Sequence, residues 1–126
     1  MTIQQVIDKV DRKKPNYMDR QTKVEHLQDL DQIIYQEILL KHRHTAAEEV
    51  EPDYSGDRTG ETQLLVPATY GTDMYVYWLE CKIDEMNQEI DKLNNDTAMF
   101  NTAYETMHDW WRRTRMPLQP QPFVTI

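Results

Sequence analysis

Val76, Leu79, Ile83, Met86, Ile90 and Leu93 follow one another at spacings of 3, 4, 3, 4 and 3 residues. That is the seam of a helix packed along another helix. A second apolar stripe, Met74, Tyr77, Trp78 and Cys81, runs beside it in the first half only. The first half is therefore expected to lie deeper, in the core or in a subunit contact. Asn94-Asn95 interrupts the seam, and Asp96 is placed to cap a further helix. Phe100, Ala103, Met107 and Trp110 then repeat the 3, 4, 3 spacing, widened by Met99, Tyr104 and Trp111. So short a link predicts an antiparallel pair.

The upstream half carries the same signals. Thr2 and Gln5 stand in capping-box positions ahead of Ile3, Val6, Ile7 and Val10. Arg12, Lys13 and Lys14 suit the negative end of that helix, and Pro15-Asn16 stops it. Asp19 is placed to cap a second helix reaching about His42. Its buried stripe is Val24, Leu27, Leu30, Ile34 and Ile38, with Ile33 and Leu40 beside it. Leu64-Leu65-Val66 reads as a short extended entry ended by Pro67. Ala68 to Gly71 reads as a turn, and Thr72 or Asp73 as the cap of the third helix. The expected fold is all-α: a four-helix domain over residues 1–116.

Two segments break the helical pattern. Residues 45–66 hold two of the three glycines, one proline and six acids: Glu48, Glu49, Glu51, Asp53, Asp57 and Glu61. They read as a long acidic loop, or as a short β-hairpin with Val50 and Tyr54 before a turn near Gly56. The acids face either a partner or lumen, or plain solvent. Residues 117–126 hold Pro117, Pro120 and Pro122, which forbid a helix and favour extended or polyproline geometry. The segment closes on Phe123-Val124-Thr125-Ile126, and it reads as an arm for a neighbouring subunit.

Composition narrows the function. At 126 residues the chain is about one domain. A mean hydropathy of −0.82 leaves its core modest, as in a subunit that completes its burial in an assembly. A net charge of −8 argues against tight phosphate binding, though DNA could pass without sticking. The single cysteine fits a reducing cytoplasm. Neither a signal peptide nor a membrane span is expected.

Residues with chemical potential do not converge in the sequence. His26, His42, His44 and His108 lack metal-site spacing and read as surface histidines. Cys81 lies on an apolar stripe and reads as a small buried hydrophobe rather than a nucleophile. Asp84/Glu85 and Glu89/Asp91 read as a solvated helix face near Lys82 and Lys92. Glu48-Glu49-x-Glu51 lacks calcium-loop spacing, and Gly60 lacks a phosphate-binding motif. No catalytic, metal or cofactor residue is assigned. The sharpest feature outside the core pattern is Trp110-Trp111-Arg112-Arg113. Neighbouring helical residues point about 100° apart, so one indole is expected at home and the other toward a partner. Trp and Arg are the residue types that dominate interface hot spots.

A series of phrases resembles a known group: Leu64-Leu65-Val66-Pro67-Ala68-x-Tyr70, Met74-Tyr75-Val76-Tyr77-Trp78-Leu79, Ile83-Asp84, Asn94-Asn95, and Ala98-Met99-Phe100-Asn101-x-Ala103-Tyr104. They look like the head–tail connector (adaptor) proteins of tailed phages and prophages. The resemblance covers residues 1–117 in layout and 64–117 in wording. It implies a non-enzymatic subunit of a ring, commonly of twelve copies, in the virion neck and assembled in the bacterial cytoplasm. Such a ring docks on the portal protein, continues the DNA channel and receives a stopper or tail protein. Tyr75, Trp78, Trp111, Arg112, Arg113, Arg115, Pro117, Phe123, Val124 and Ile126 are the expected subunit or portal contacts. The six acids of 45–66 are the expected lumen lining. The competing expectation is a small helical regulatory or inhibitor module acting as monomer or dimer.

Overall fold

Helix α1, Ile3–Lys13, starts at the expected capping box. The Thr2 hydroxyl accepts from Gln5 N, and the Gln5 side chain accepts from Thr2 N at 3.0 Å. Ile3, Val6, Ile7 and Val10 are all buried, as their spacing requires. The computed structural model describes residues 1–115; the expected arm, including Pro117, Phe123, Val124 and Ile126, lies outside them. Among the described residues the fold is all-α, with four α-helices, two short 3-10 turns and no strand.

Helix α2, Arg20–Glu37, is capped by Asp19, whose carboxylate accepts from Thr22 N at 2.7 Å. The expected stripe Val24, Leu27, Leu30, Ile34 and Ile38 is buried. Ile33 is exposed, so the stripe is narrower on that side than its sequence suggested. The helix also ends sooner than His42. Ile38 leaves helical geometry, a 3-10 turn covers Leu39–Lys41, and the His42 ring donates from Nδ1 to the Ile38 carbonyl at 2.8 Å. A buried imidazole thus takes a carbonyl that a continuing helix would have used. His42 is correspondingly buried, not on the surface.

The connection from residue 42 to 67 forms no hairpin. An isolated antiparallel bridge pairs its Gln63 with Thr2. Around it, Ile3 N donates to Thr62 O, Gln4 N to Gly60 O, and Leu64 N to Met1 O. The first amides of a helix lack intrahelical acceptors. Here the returning chain supplies two of them. Gly60 sits at φ 81°, and a Cβ there would stand 2.5 Å from the Gln4 Cβ. Only glycine allows both the turn and the approach.

Helix α3 spans Ala68–Asn87 and begins at Pro67, earlier than Thr72 or Asp73. The Pro67 carbonyl accepts from Tyr70 N and Gly71 N at 3.1 and 2.8 Å. Gly71 is a helical residue, where a side chain would meet the Val66 carbonyl and the Tyr75 ring. Helix α4, Ile90–Thr114, begins before the expected break at Asn94-Asn95. The chain turns at Gln88, which adopts the left-handed conformation at φ 58°. Gln88 N bonds to Glu85 O and Glu89 N to Asp84 O, the pair of contacts that closes a helix C-terminus. The apparent seam therefore belongs to two helices. Val76, Leu79 and Ile83 are buried on α3, whereas Met86 and Ile90 flank the turn and are exposed.

Helix α3 is the hub. Helices α1 and α2 pack on it and on each other, while α4 packs on α3 without close backbone approach to α1 or α2. Of the 25 residues of α4 only Asp96, Met107 and Trp111 are buried. Gly60→Ala is expected to cost about 2 kcal/mol in chemical denaturation. Gly56→Ala, where an added Cβ meets nothing within 4 Å, is expected to stay within about 0.5 kcal/mol of the parent.

Candidate functional site

Two buried polar clusters account for residues that the sequence had offered to partners or solvent. The first centres on Asp31 of α2, fully buried. It accepts from the Tyr54 hydroxyl, from the Tyr75 hydroxyl at 2.5 Å, and from Leu65 N at 2.9 Å. The Tyr75 oxygen also accepts from Val66 N at 3.0 Å. Burial pushes the Asp31 carboxyl up from its ordinary range, against the lowering effect of these bonds. Burial, then the neighbouring Asp31, raises both tyrosines. Tyr75, expected at a subunit contact, is thus spent inside the monomer, where its hydroxyl joins the 64–66 segment to α2.

The second cluster joins α1, α3 and α4. Lys14 pairs with Asp84 and, at 2.9 Å, with Asp96; Lys13 pairs with Glu80 at 3.3 Å. Asp84 and Glu80 are almost completely buried, so Asp84 does not belong to the expected solvated face, whereas Glu85 and Asp91 are exposed. Asp96 is buried as the α4 partner of Lys14 rather than as a helix cap. Burial, followed by a hydrogen bond with Asp96, pushes the Asp84 carboxyl up to about 6. Asp96 is held low by Asp84 and Lys14 against its own burial. Cys81 is buried, and burial raises its thiol, the opposite of an activated nucleophile.

The adjacent indoles and exposed arginines that the sequence singled out lie at the C-terminal end of α4. Of the two adjacent indoles, Trp111 is buried, and Trp110 is half-buried and stacked on Tyr70 at 4.6 Å. The expectation of one indole inside holds, but the inner one is Trp111, which had been expected at a partner contact. Arg112 and Arg113 are exposed, Arg112 pairing with Asp109. Arg115 crosses to Glu48 at 2.8 Å and covers the Trp111 ring at 4.3 Å. Between this end of α4 and the 39–67 connection lies a groove of about 360 Å³. Leu39, Val50, Leu65, Pro67 and Trp110 line it, with Glu48 and Arg115 as its charged residues.

Trp78 lies elsewhere, in an aromatic row. It meets Phe100 at 5.3 Å, Phe100 meets Tyr104, and Tyr104 meets His108. Its Nε1 donates to the His26 carbonyl, and Lys82 sits over its ring. It is half-buried and keeps an accessible edge.

The six acids are not one surface. Asp57 binds Arg20, Thr62 and Gly60 N; against its burial these bonds hold its carboxyl low and close the turn at Gly60. Glu48 closes the Thr45 capping box and pairs with Arg115. Glu49 pairs with His44 at 2.7 Å, and Asp53 accepts from Ser55 N. Glu49, Glu51, Asp53 and Glu61 are exposed.

Among the described residues, no three His, Cys, Asp or Glu side chains form a set able to hold a metal ion, and no helix is long and apolar enough to cross a membrane. Compared with known proteins, the chain matches no family model, no curated protein and no solved structure. The sequence pattern concealed both clusters, although Asp31 does carry a signal: it stands four residues after Leu27 and three before Ile34, in register with the buried stripe of α2.

Two outcomes test these clusters. Tyr75→Phe strips a donor from Asp31 and the acceptor from Val66 N, and is expected to cost about 3 kcal/mol in urea denaturation. Asp84 keeps its proton in the folded chain to about pH 6, whereas the unfolded group loses it near 3.8. Its contribution to stability therefore falls as pH rises between those values. Asp84→Asn stays neutral, so its stability relative to the parent is expected to rise from pH 4 to pH 6 in paired denaturation curves.

Proposed function

We propose that this chain is a structural subunit of a phage head–tail connector ring, bridging portal and tail. The observation that carries the reading is α4: 25 residues, three of them buried, packed on one neighbouring helix. A helix of that length is not stabilised by propensity alone, and its unburied surface is contact capacity for other protein. The phrases at 64–104 that resemble connector proteins fall largely on α3 and α4, the helical pair with that capacity.

In this reading the fold serves as a rigid block. Trp78 with its aromatic row and the Arg112–Arg113 edge supply contacts to successive subunits or to portal, and the 117–126 arm reaches a neighbour. Tyr75 and Trp111 take no part, since both are internal. The acids available to line a DNA channel are Glu49, Glu51, Asp53 and Glu61, all exposed. Negative charge there would repel phosphates and let the genome slide. A twelve-fold ring, the portal below the capsid, a stopper or tail protein beyond, and residence in the virion neck follow from the same resemblance.

Purified chain mixed with the portal protein of its own phage is expected to form a ring visible by electron microscopy, and the chain truncated after Met116 is expected not to. A stable monomer or dimer that ignores portal would point instead to a small helical regulatory module. Charge reversal at Glu49, Glu51 and Glu61 is expected to slow genome ejection from assembled virions; unchanged ejection would remove those acids from the channel.

A further inference from the structure

We infer that the groove at the end of α4 is the receptor for residues 123–126 of a second copy of the chain. This deepens the ring reading above and rests on it for the choice of a second copy, because a ring needs unlike surfaces of successive subunits to meet.

Three observations carry the inference. The groove has apolar walls, Leu39, Leu65, Pro67 and Trp110, and Val50 stands 69% exposed at its side. An exposed β-branched residue beside a half-buried indole gains from being covered. The two charges at the groove, Glu48 and Arg115, already neutralise one another at 2.8 Å. An occupant therefore needs no charge of its own. Residues 116–126, MPLQPQPFVTI, contain no charged residue at all and bring Phe123, Val124 and Ile126 together.

Reach permits a second copy, and the ring reading selects it. Arg115 closes α4 and lines the groove itself. Pro117, Pro120 and Pro122 favour extended geometry. At ~3.1 Å per residue, the eight steps from Arg115 to Phe123 allow a span of up to roughly 25 Å. That span is long enough for the apolar residues to reach the groove of another subunit. The arm and the groove are different surfaces, so each copy gives one and receives one. Such a contact closes into a ring when the rotation between copies allows it.

The test uses the full-length chain carrying Val50→Cys and Phe123→Cys together, with and without portal, under mild oxidation. Cys81 is buried and stays out of the reaction. The expected result on a non-reducing gel is a ladder of disulfide-linked multimers. Mixing the two single variants should give linked dimers, and adding Leu65→Glu to the double variant should abolish the ladder. A disulfide confined to the monomer would overturn the inference in favour of a fold-back within one copy. So would the absence of any linkage. A ring on portal without linkage would overturn the groove alone and leave the connector reading standing. A ladder without a ring on portal would support the groove while counting against that reading.

Discussion

A buried carboxylate without a cation holds this molecule together. Asp31 lies within α2, fully buried, and takes its bonds from Tyr54, Tyr75 and Leu65 N. These donors come from three places: the long connection, α3, and the extended entry to α3. Residues 42–67 form no sheet and only a single 3-10 turn, so they have little internal regularity to fix their path. The Asp31 bonds fix it instead. They set Leu64 and Val66 into the core and thereby place Pro67, from which α3 starts. An orphaned buried carboxylate is costly, so the bonds form together or the region loosens together. The connection is therefore structured from within, and its acids divide into those tied to the fold, such as Asp57, and those free to face outward, such as Glu51.

Helical periodicity is a sound guide to where buried apolar residues lie and a poorer one to where helices end. The stripes of α1 and α2 stand as their spacing required, as do the caps Thr2 and Asp19. Those signals are local: a hydroxyl or carboxylate reaches an amide three residues on. The α3–α4 boundary was misplaced because a heptad pattern continues through a turn when both helices keep an apolar residue in phase. Met86 and Ile90 preserve the spacing across Gln88 yet are exposed. A glutamine in the left-handed region carries little sequence signal, whereas Asn94-Asn95 carries a strong one and is helical.

The polar clusters were hidden for a different reason. Lys14 reads as a helix-terminal charge, Asp84 as surface and Asp96 as a cap; each reading is locally reasonable. Their meeting depends on α4 starting at Ile90, so that Asp96 faces inward one and a half turns later. The aromatic end of α4 was legible in kind and not in assignment. Adjacent indoles had to diverge, but which one turned inward depended on how α4 lies against α3.

The same reasoning bears on why α4 is so long. Its inward contacts are spread thinly, with Asp96 near one end and Met107 and Trp111 near the other. Between them Phe100, Ala103 and Tyr104 are only half-buried against α3. A shorter helix would lose either the Lys14 pair or the Trp111 anchor, and with it the fixed angle of the helix. Two anchors far apart hold a rod better than the same contacts placed together. The rod can then present Trp110, Arg112 and Arg113 in a constant geometry without burying its outer face. A chain folding for its own stability alone would have little use for that face. Under the proposed connector reading, that outer face has to be both held and uncovered.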